Sequence, residues 1–279
     1  MLRLCHLLSL DAKREIIVKL LVFFLLMTSA ITANSAEIVF YRGSPEKIAN
    51  YVGMIPFDWL PRILIRGDIS PGDENAFESA LDRAESTGSV WAFNRSVRLD
   101  SYGGDVATAM LIADQIRKHR VSTIVMDGSN CASACILILA GGTSRVAQDQ
   151  ARLGLHRPYF SNTASATKGG YEQFKIEYDA VLSRYRAFLS RMGIGNDLVE
   201  AMMLIPSNEI RWIDRSFALQ VNLLGDDPAD AEWQRAKRIE QKGEACVKFD
   251  DQLLSCYSKF GFDSDYCHQL LGPPPRGCM

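Results

Sequence analysis

The residues best suited to chemistry lie in the stretch DGSNCASACILILAGG, Asp127 to Gly142. Cys131, Ser133 and Cys135 are three candidate nucleophiles close together, and Ser133 sits between Ala132 and Ala134. A serine or thiol nucleophile needs a base, donors for the developing oxyanion and a third group that orients the base. Small neighbours allow a sharp turn and close approach of a substrate. The aliphatic run that follows predicts a buried helix, and a helix N-terminus presents free N–H groups and a partial positive charge to an anion. The Ala134 N–H is therefore a natural oxyanion donor. Gly103 or Gly104 offers a second, because a residue without a side chain lets the backbone come close.

The base is expected to be a histidine. Past the first 36 residues these are His119, His156 and His268. His119 lies in RKHR at a charged helix end, and His268 lies in a cysteine-bearing tail. His156 follows an apolar strand pattern and stands two residues before Pro158, as a base held at a strand end would. Ser133 and His156 are thus the expected nucleophile and base. Cys131 and Cys135 fit that role less well, because an oxidising compartment favours disulfides over free thiols. They flank Ser133 at a separation a disulfide is able to span, and such a bridge would brace the turn. A zinc site built from these cysteines and the tail would lack the paired C-x-x-C signature.

These residues must be positioned by regular elements, and the surrounding pattern supplies them. RILIRGDI, from Arg62, alternates and is rich in β-branched residues, which predicts a strand. The segment from Ser70 to Thr87 predicts a helix, with Ser70 as cap, Pro71 at the first helical position and acids in the first turn. A strand at Ser96–Ser101 ends at Gly103-Gly104. A helix follows, with Val106, Ala109, Met110, Ala113 and Ile116 on its apolar face. A strand in VSTIVMDG, the helix of SACILILAGG and short strands around His156 complete the alternation. Glu37 to Asp58 reads as irregular, Pro158 to Gly170 as a loop and Tyr171 to Met192 as a long amphipathic helix, with two shorter helices after it.

Strand–helix alternation predicts an α/β domain with a largely parallel sheet. In such sheets chemistry sits at strand C-terminal ends, where loops enter helices. Gly103-Gly104 and the Ser133 turn both fall at such ends.

The 279 residues are 47% hydrophobic, enough for one sizeable core with an appendage, and the net charge of −2 implies neither nucleic acid nor an anionic membrane as partner. Residues 1–36 read as a signal peptide. Lys13, Arg14 and Lys19 form a basic n-region, and Leu20 to Ala33 is an apolar stretch shorter than the roughly 20 residues that span a bilayer. Small residues near Ser35 and Ala36 suit cleavage, which predicts a periplasmic or secreted chain. A membrane contact is expected only through this N-terminal signal, or through an uncleaved anchor. Residues 37–225 form the α/β domain and residues 226–279 a helical, cysteine-rich C-terminal tail. Cys131, Cys135, Cys246, Cys256, Cys267 and Cys278 are disulfide candidates, and six cysteines allow 15 pairings. No cofactor and no metal are expected.

LDSYGGDVATAMLIADQIR, NCASACILILAGG and LGLHRP, in that order, resemble the proteolytic subunit of the Clp protease, and more closely its periplasmic Clp-like relatives. The resemblance spans roughly Arg62 to Leu224. It implies a crotonase-like ββα superhelix and Ser-His-Asp peptide hydrolysis. It makes Ser133 the nucleophile and His156 the base, with Gly103 and Ala134 as oxyanion hole. Asn208 stands where the family places its aspartate, with Glu209 beside it and Asp214 further on. Asparagine can orient a histidine, but stabilises an imidazolium less well than a carboxylate does. Tyr102 stands where the Clp subunit carries proline. The implied activity is an exported, ATP-independent serine endopeptidase-like hydrolase acting on peptide or protein, in a homo-oligomer. No P-loop pattern is present. Two alternatives remain on the same fold. One is a catalytically weak or inactive binding or scaffold protein, which Asn208 favours. The other is a crotonase-like acyl or thioester enzyme, which would not need a Ser-His pair.

Overall fold

The computed structural model describes residues 35–48, 59–88, 91, 94–159, 163–260 and 265–278. The expected signal segment lies almost wholly outside them. Residues Ala36–Met279 form one compact unit.

In chain order the elements begin with strand β1 (Glu37–Tyr41), the short helix α1 (Pro45–Ile48), β2 (Arg62–Arg66) and α2 (Asp73–Glu85). β3 (Ser96–Asp100), α3 (Val106–Lys118), β4 (Ser122–Val125), β5 (Asn130–Ala132) and α4 (Cys135–Gly141) carry the chain through the candidate nucleophile. β6 (Ser144–Ala147), β7 (Arg152–Leu155), α5 (Thr163–Arg191), α6 (Asn196–Met203), β8 (Arg211–Ile213), α7 (Arg215–Gln220) and β9 (Gly225–Asp226) follow. The tail is α8 (Pro228–Lys242), α9 (Glu244–Phe260) and α10 (Asp265–Leu271).

The main sheet has the order β1-β2-β3-β4-β6-β9. β2, β3, β4 and β6 are parallel, and β1 and β9 close the edges antiparallel. Ile63, Leu64 and Ile65 of β2, and Ser96 to Leu99 of β3, are buried on both faces, as a parallel sheet covered on both sides demands. A second sheet, β5-β7-β8, joins the first where Ser101 bridges Cys131. α4 lies wholly inside the core, every residue from Cys135 to Gly141 being buried. The predicted α/β class is the observed one.

Several local expectations are corrected. β1 occupies part of the stretch read as irregular; it is an edge strand whose register with β2, Val39 opposite Leu64, comes from its partner. α2 is capped by Gly72 at φ 103, not by Ser70, and its first residue is Asp73. The buried Asp73 carboxylate accepts the N–H groups of Ser70 at 2.8 Å and Ala36 at 3.1 Å, so the turn serves Asp73. α5 begins at Thr163, and Gly170, with φ 71, is a break inside it. Of the five residues on the apolar face of α3, Ala109, Ala113 and Ile116 are buried, and Val106 and Met110 are half-buried and packed against the core.

The tail is stapled by Cys246–Cys278 and Cys256–Cys267, and Cys131 pairs with Cys135. All six cysteines beyond residue 36 are thereby used, which removes the thiolates that a zinc site would need. α8 starts with Asp227 as cap and Pro228 at its first position. Arg117, near the end of α3, fixes this junction. It pairs with the buried Asp227 carboxylate and donates to the carbonyls of Ala140, Gly141, Gly142 and Met192 at 3.1–3.4 Å. One cation thus caps α4, α5 and the entry to the tail. Arg145 beside it bonds the Gly142 and Asn222 carbonyls. Burial, with a contribution from Arg117, lowers its pKa to about 10, so it stays charged at neutral pH.

Candidate active site

Ser133 lies in the two-residue turn between β5 and α4. Its φ is +55°, a left-handed conformation uncommon for a residue other than glycine. Such a backbone costs about 1–3 kcal/mol and persists only where the surroundings fix it. Four contacts do so. The Ser133 N–H donates to the Gly154 carbonyl at 3.0 Å, and the Ser133 carbonyl accepts from Ile136 at 3.0 Å. The Ala132 N–H donates to Ser101, and the Cys131–Cys135 disulfide closes the turn from both sides. The serine side chain is half-buried between buried alanines.

Gly103 forms the opposite wall. A β-carbon there would stand 2.7 Å from the Ser133 β-carbon, 2.8 Å from the Ala132 oxygen and 2.9 Å from the Ala134 nitrogen. Only glycine fits, and its φ of +107° requires glycine independently. Among the described residues neither the Ala134 N–H nor the Gly104 N–H has an acceptor. The Gly103 N–H donates to Ser101 Oγ at 3.0 Å and is committed. Sequence reasoning found the two glycines but not this distinction, which depends on how Ser101 folds back over the turn.

His156 immediately follows β7 and is 8% exposed. Ser133 bonds to Gly154, two residues earlier, and two strand residues advance about 7 Å with their side chains on one face. Ser133 and His156 therefore lie past the C-terminal ends of two neighbouring parallel strands of the small sheet. The His156 Nδ1 lies 2.9 Å from the Arg157 carbonyl oxygen. Among the described residues no hydrogen bond joins the ring to Ser133 Oγ. The ring of Tyr159 stands 6.0 Å away.

The turn after α6 passes alongside. The Arg157 N–H donates to the Ile205 carbonyl, and Leu155 pairs with Arg211, which brings residues 205–211 against the histidine segment. Asn208 and Glu209 lie in this turn with exposed side chains. Among the described residues neither bonds to His156; the Glu209 N–H donates to Pro206. Asp214 is the N-cap of α7. It accepts from Ser216 Oγ at 2.6 Å and from the Phe217 N–H at 2.7 Å, bonds that hold its carboxyl below the ordinary range.

A cavity of about 240 Å³ opens beside these strand ends, lined by Val106, Met110, Pro158, Tyr159, Tyr178 and Val181, with Asp105 and Arg184 also on its wall. Val106 and Met110, at the margin of the apolar face of α3, thus line this space. It is smaller than the roughly 300–1,000 Å³ of small-molecule sites and suits a single apolar side chain. Burial raises the pKa of the Tyr178 phenol, which stays neutral.

Residues 95–187 match the Clp protease family. The matched segment covers about a third of the chain. It runs from the start of β3 into α5 and contains Gly103, Ser133, Ala134 and His156, but ends before Asn208 and Glu209. Over that segment the chain is Clp-protease-like. A search of curated proteins gives no significant match.

Proposed function

We propose that this Clp-protease-like chain is an exported, ATP-independent serine peptidase with Ser133 as nucleophile and His156 as base. The observation that carries the proposal is the left-handed Ser133 turn, with the free Ala134 N–H beside it and Gly103 packed against it. A proton on His156 Nδ1, donated to the Arg157 carbonyl, leaves the Nε2 lone pair free to accept the Ser133 hydroxyl proton. Oγ then attacks the substrate carbonyl carbon. The oxyanion is received by Ala134 N–H and by a glycine N–H, Gly104 as it stands or Gly103 once it leaves Ser101. Protonated His156 passes its proton to the leaving amine, and water repeats the sequence on the acyl-enzyme.

The Arg157 carbonyl orients the ring but stabilises an imidazolium less than a carboxylate does. Asn208 or Glu209 supplies the missing partner once the 205–211 turn closes over a bound substrate. The apolar cavity receives the side chain next to the scissile bond. The small sheet, joined to the larger one by the Ser101–Cys131 bridge, is in keeping with the ββα superhelix of the crotonase-like fold. Export accords with three disulfides and with the absence, among the described residues, of a helix long and apolar enough to cross a membrane. Assembly into a homo-oligomer follows the same family likeness.

The test is hydrolysis of a quenched peptide library by the chain lacking residues 1–35, which keeps the Ala36 bond to Asp73. Ser133→Ala is expected to lower kcat by about 10⁴-fold or more. Equal turnover by Ser133→Ala and the unmodified chain would overturn the assignment. A second reading, a catalytically weak binding protein on the same scaffold, is favoured by the open Ser133–His156 geometry and the exposed Asn208. It requires peptide binding without turnover.

A further inference from the structure

Cys131 and Cys135 bracket Ser133 symmetrically, and both are fully buried. Their Cα atoms are 5.2 Å apart. Four residues of extended chain would run about 13 Å, so the bridge ties together the two ends of the reversal in which Ser133 takes its left-handed backbone. Each end is anchored separately. Cys131 is paired with Leu153 in the small sheet and bridged to Ser101, and Cys135 opens the wholly buried α4. Between the anchors lie only Ala132, Ser133 and Ala134, held by backbone hydrogen bonds to Ser101 and Gly154 and, within the turn, by Ile136; the disulfide is the one covalent tie across them.

The three disulfides differ in what they constrain. The tail bridges span 32 and 11 residues, the Ser133 bridge only four. Stabilisation by loop closure grows with loop length, so this bridge contributes least to global stability. Its effect is local, and what is local is the backbone of the nucleophile and the Ala134 N–H.

We infer that the Cys131–Cys135 disulfide is a positioning element of the active site: it holds Ser133 and the Ala134 N–H in the geometry that attack requires. The inference rests on the reading of Ser133 as nucleophile. Reduction by a dithiol breaks the S–S bond, delivers two electrons and two protons, and leaves two thiols and the oxidised dithiol. The turn then relaxes toward ordinary backbone angles. Because both sulfurs are shielded, the bridge behaves as a permanent brace in an oxidising compartment.

The test compares the unmodified chain with Cys131→Ala/Cys135→Ala, both carrying intact tail disulfides. Cys131→Ser/Cys135→Ser, which keeps the side-chain volume, replaces that pair if it does not fold. Two readouts are taken: the rate at which a fluorophosphonate labels Ser133, with kcat and KM for a peptide, and amide hydrogen exchange across residues 131–137. The expected result is labelling and kcat slower by about 10- to 100-fold, KM within about twofold and faster exchange confined to that segment. Unchanged labelling together with unchanged exchange would overturn the brace. If the unmodified chain is not labelled at Ser133, the hydrolase reading falls, and the exchange readout alone decides whether the bridge holds the turn.

Discussion

Gly103 and Ser133 are in such close contact that no side chain fits between them: a β-carbon on Gly103 would stand 2.7 Å from that of Ser133. Both residues also have positive φ, at +107° and +55°. The turn after β3 and the turn before α4 are therefore shaped against each other, and the nucleophile's position depends on a residue 30 positions earlier.

Gly103→Ala tests that dependence. The added methyl meets backbone atoms of Ala132 and Ala134, which do not swing away as a flexible side chain would. Stability is expected to fall by about 2–3 kcal/mol, read as a lower urea midpoint. Turnover is expected to fall by about 100-fold, since a displacement near 1 Å has that effect. Gly103→Ala with native turnover would show that the two turns are not coupled.

The partner of His156 is resolved by two substitutions in one assay. If Asn208 orients the ring, Asn208→Asp is expected to raise kcat, because an amide in place of the acid can lower turnover about 10⁴-fold. If Glu209 does so, Asn208→Asp has little effect and Glu209→Gln depresses kcat. Asp214→Asn is expected to leave kcat unchanged, since Asp214 caps α7 and asparagine caps nearly as well. No change from either of the first two would leave the Arg157 carbonyl as the sole orienter, a Ser-His dyad.

Met110→Trp probes the cavity. An indole in place of the thioether narrows the cavity of about 240 Å³ that Met110 lines. Peptides with a large apolar residue at the scissile bond are expected to lose about tenfold or more in kcat/KM relative to those with alanine. Equal losses for both would place the substrate side chain elsewhere.

Arg117→Ala is a stability test away from the chemistry. It removes donors to four carbonyls and leaves the buried Asp227 carboxylate without its cation. Loss of one partner of such a pair costs about 3–5 kcal/mol, and Arg117→Lys is expected to recover only part, because an ammonium cannot reach several carbonyls at once. Thermal unfolding that stays within about 1 °C would contradict this account of the tail junction.

The α/β class, the strands β2, β3 and β4, and the strand-to-helix turn that carries Ser133 were legible because strong local patterns encode them. β1 and β8 were not. Both are short strands at sheet edges, and their pairing is set by their partners more than by alternation of their own. Missing β8 hid the fact that the turn carrying Asn208 and Glu209 is drawn against His156. Periodicity correctly located the inner face of α3 but could not separate Val106 and Met110, at its margin, from the core beneath. The commitment of the Gly103 N–H to Ser101 Oγ had no sequence signal, since it depends on one side-chain torsion inside a turn. The disulfide pairing lay among 15 possibilities and needed three-dimensional proximity to resolve.

The central claim is that Ser133 is an activated nucleophile, and the most direct measurement is the site of covalent attack. The chain lacking residues 1–35 is incubated with a fluorophosphonate, digested and mapped by mass spectrometry, with Ser133→Ala and His156→Ala in parallel. The account predicts one adduct on Ser133, absent from Ser133→Ala and strongly slowed in His156→Ala. An adduct on another residue, or labelling of Ser133 at the same rate without His156, would contradict it.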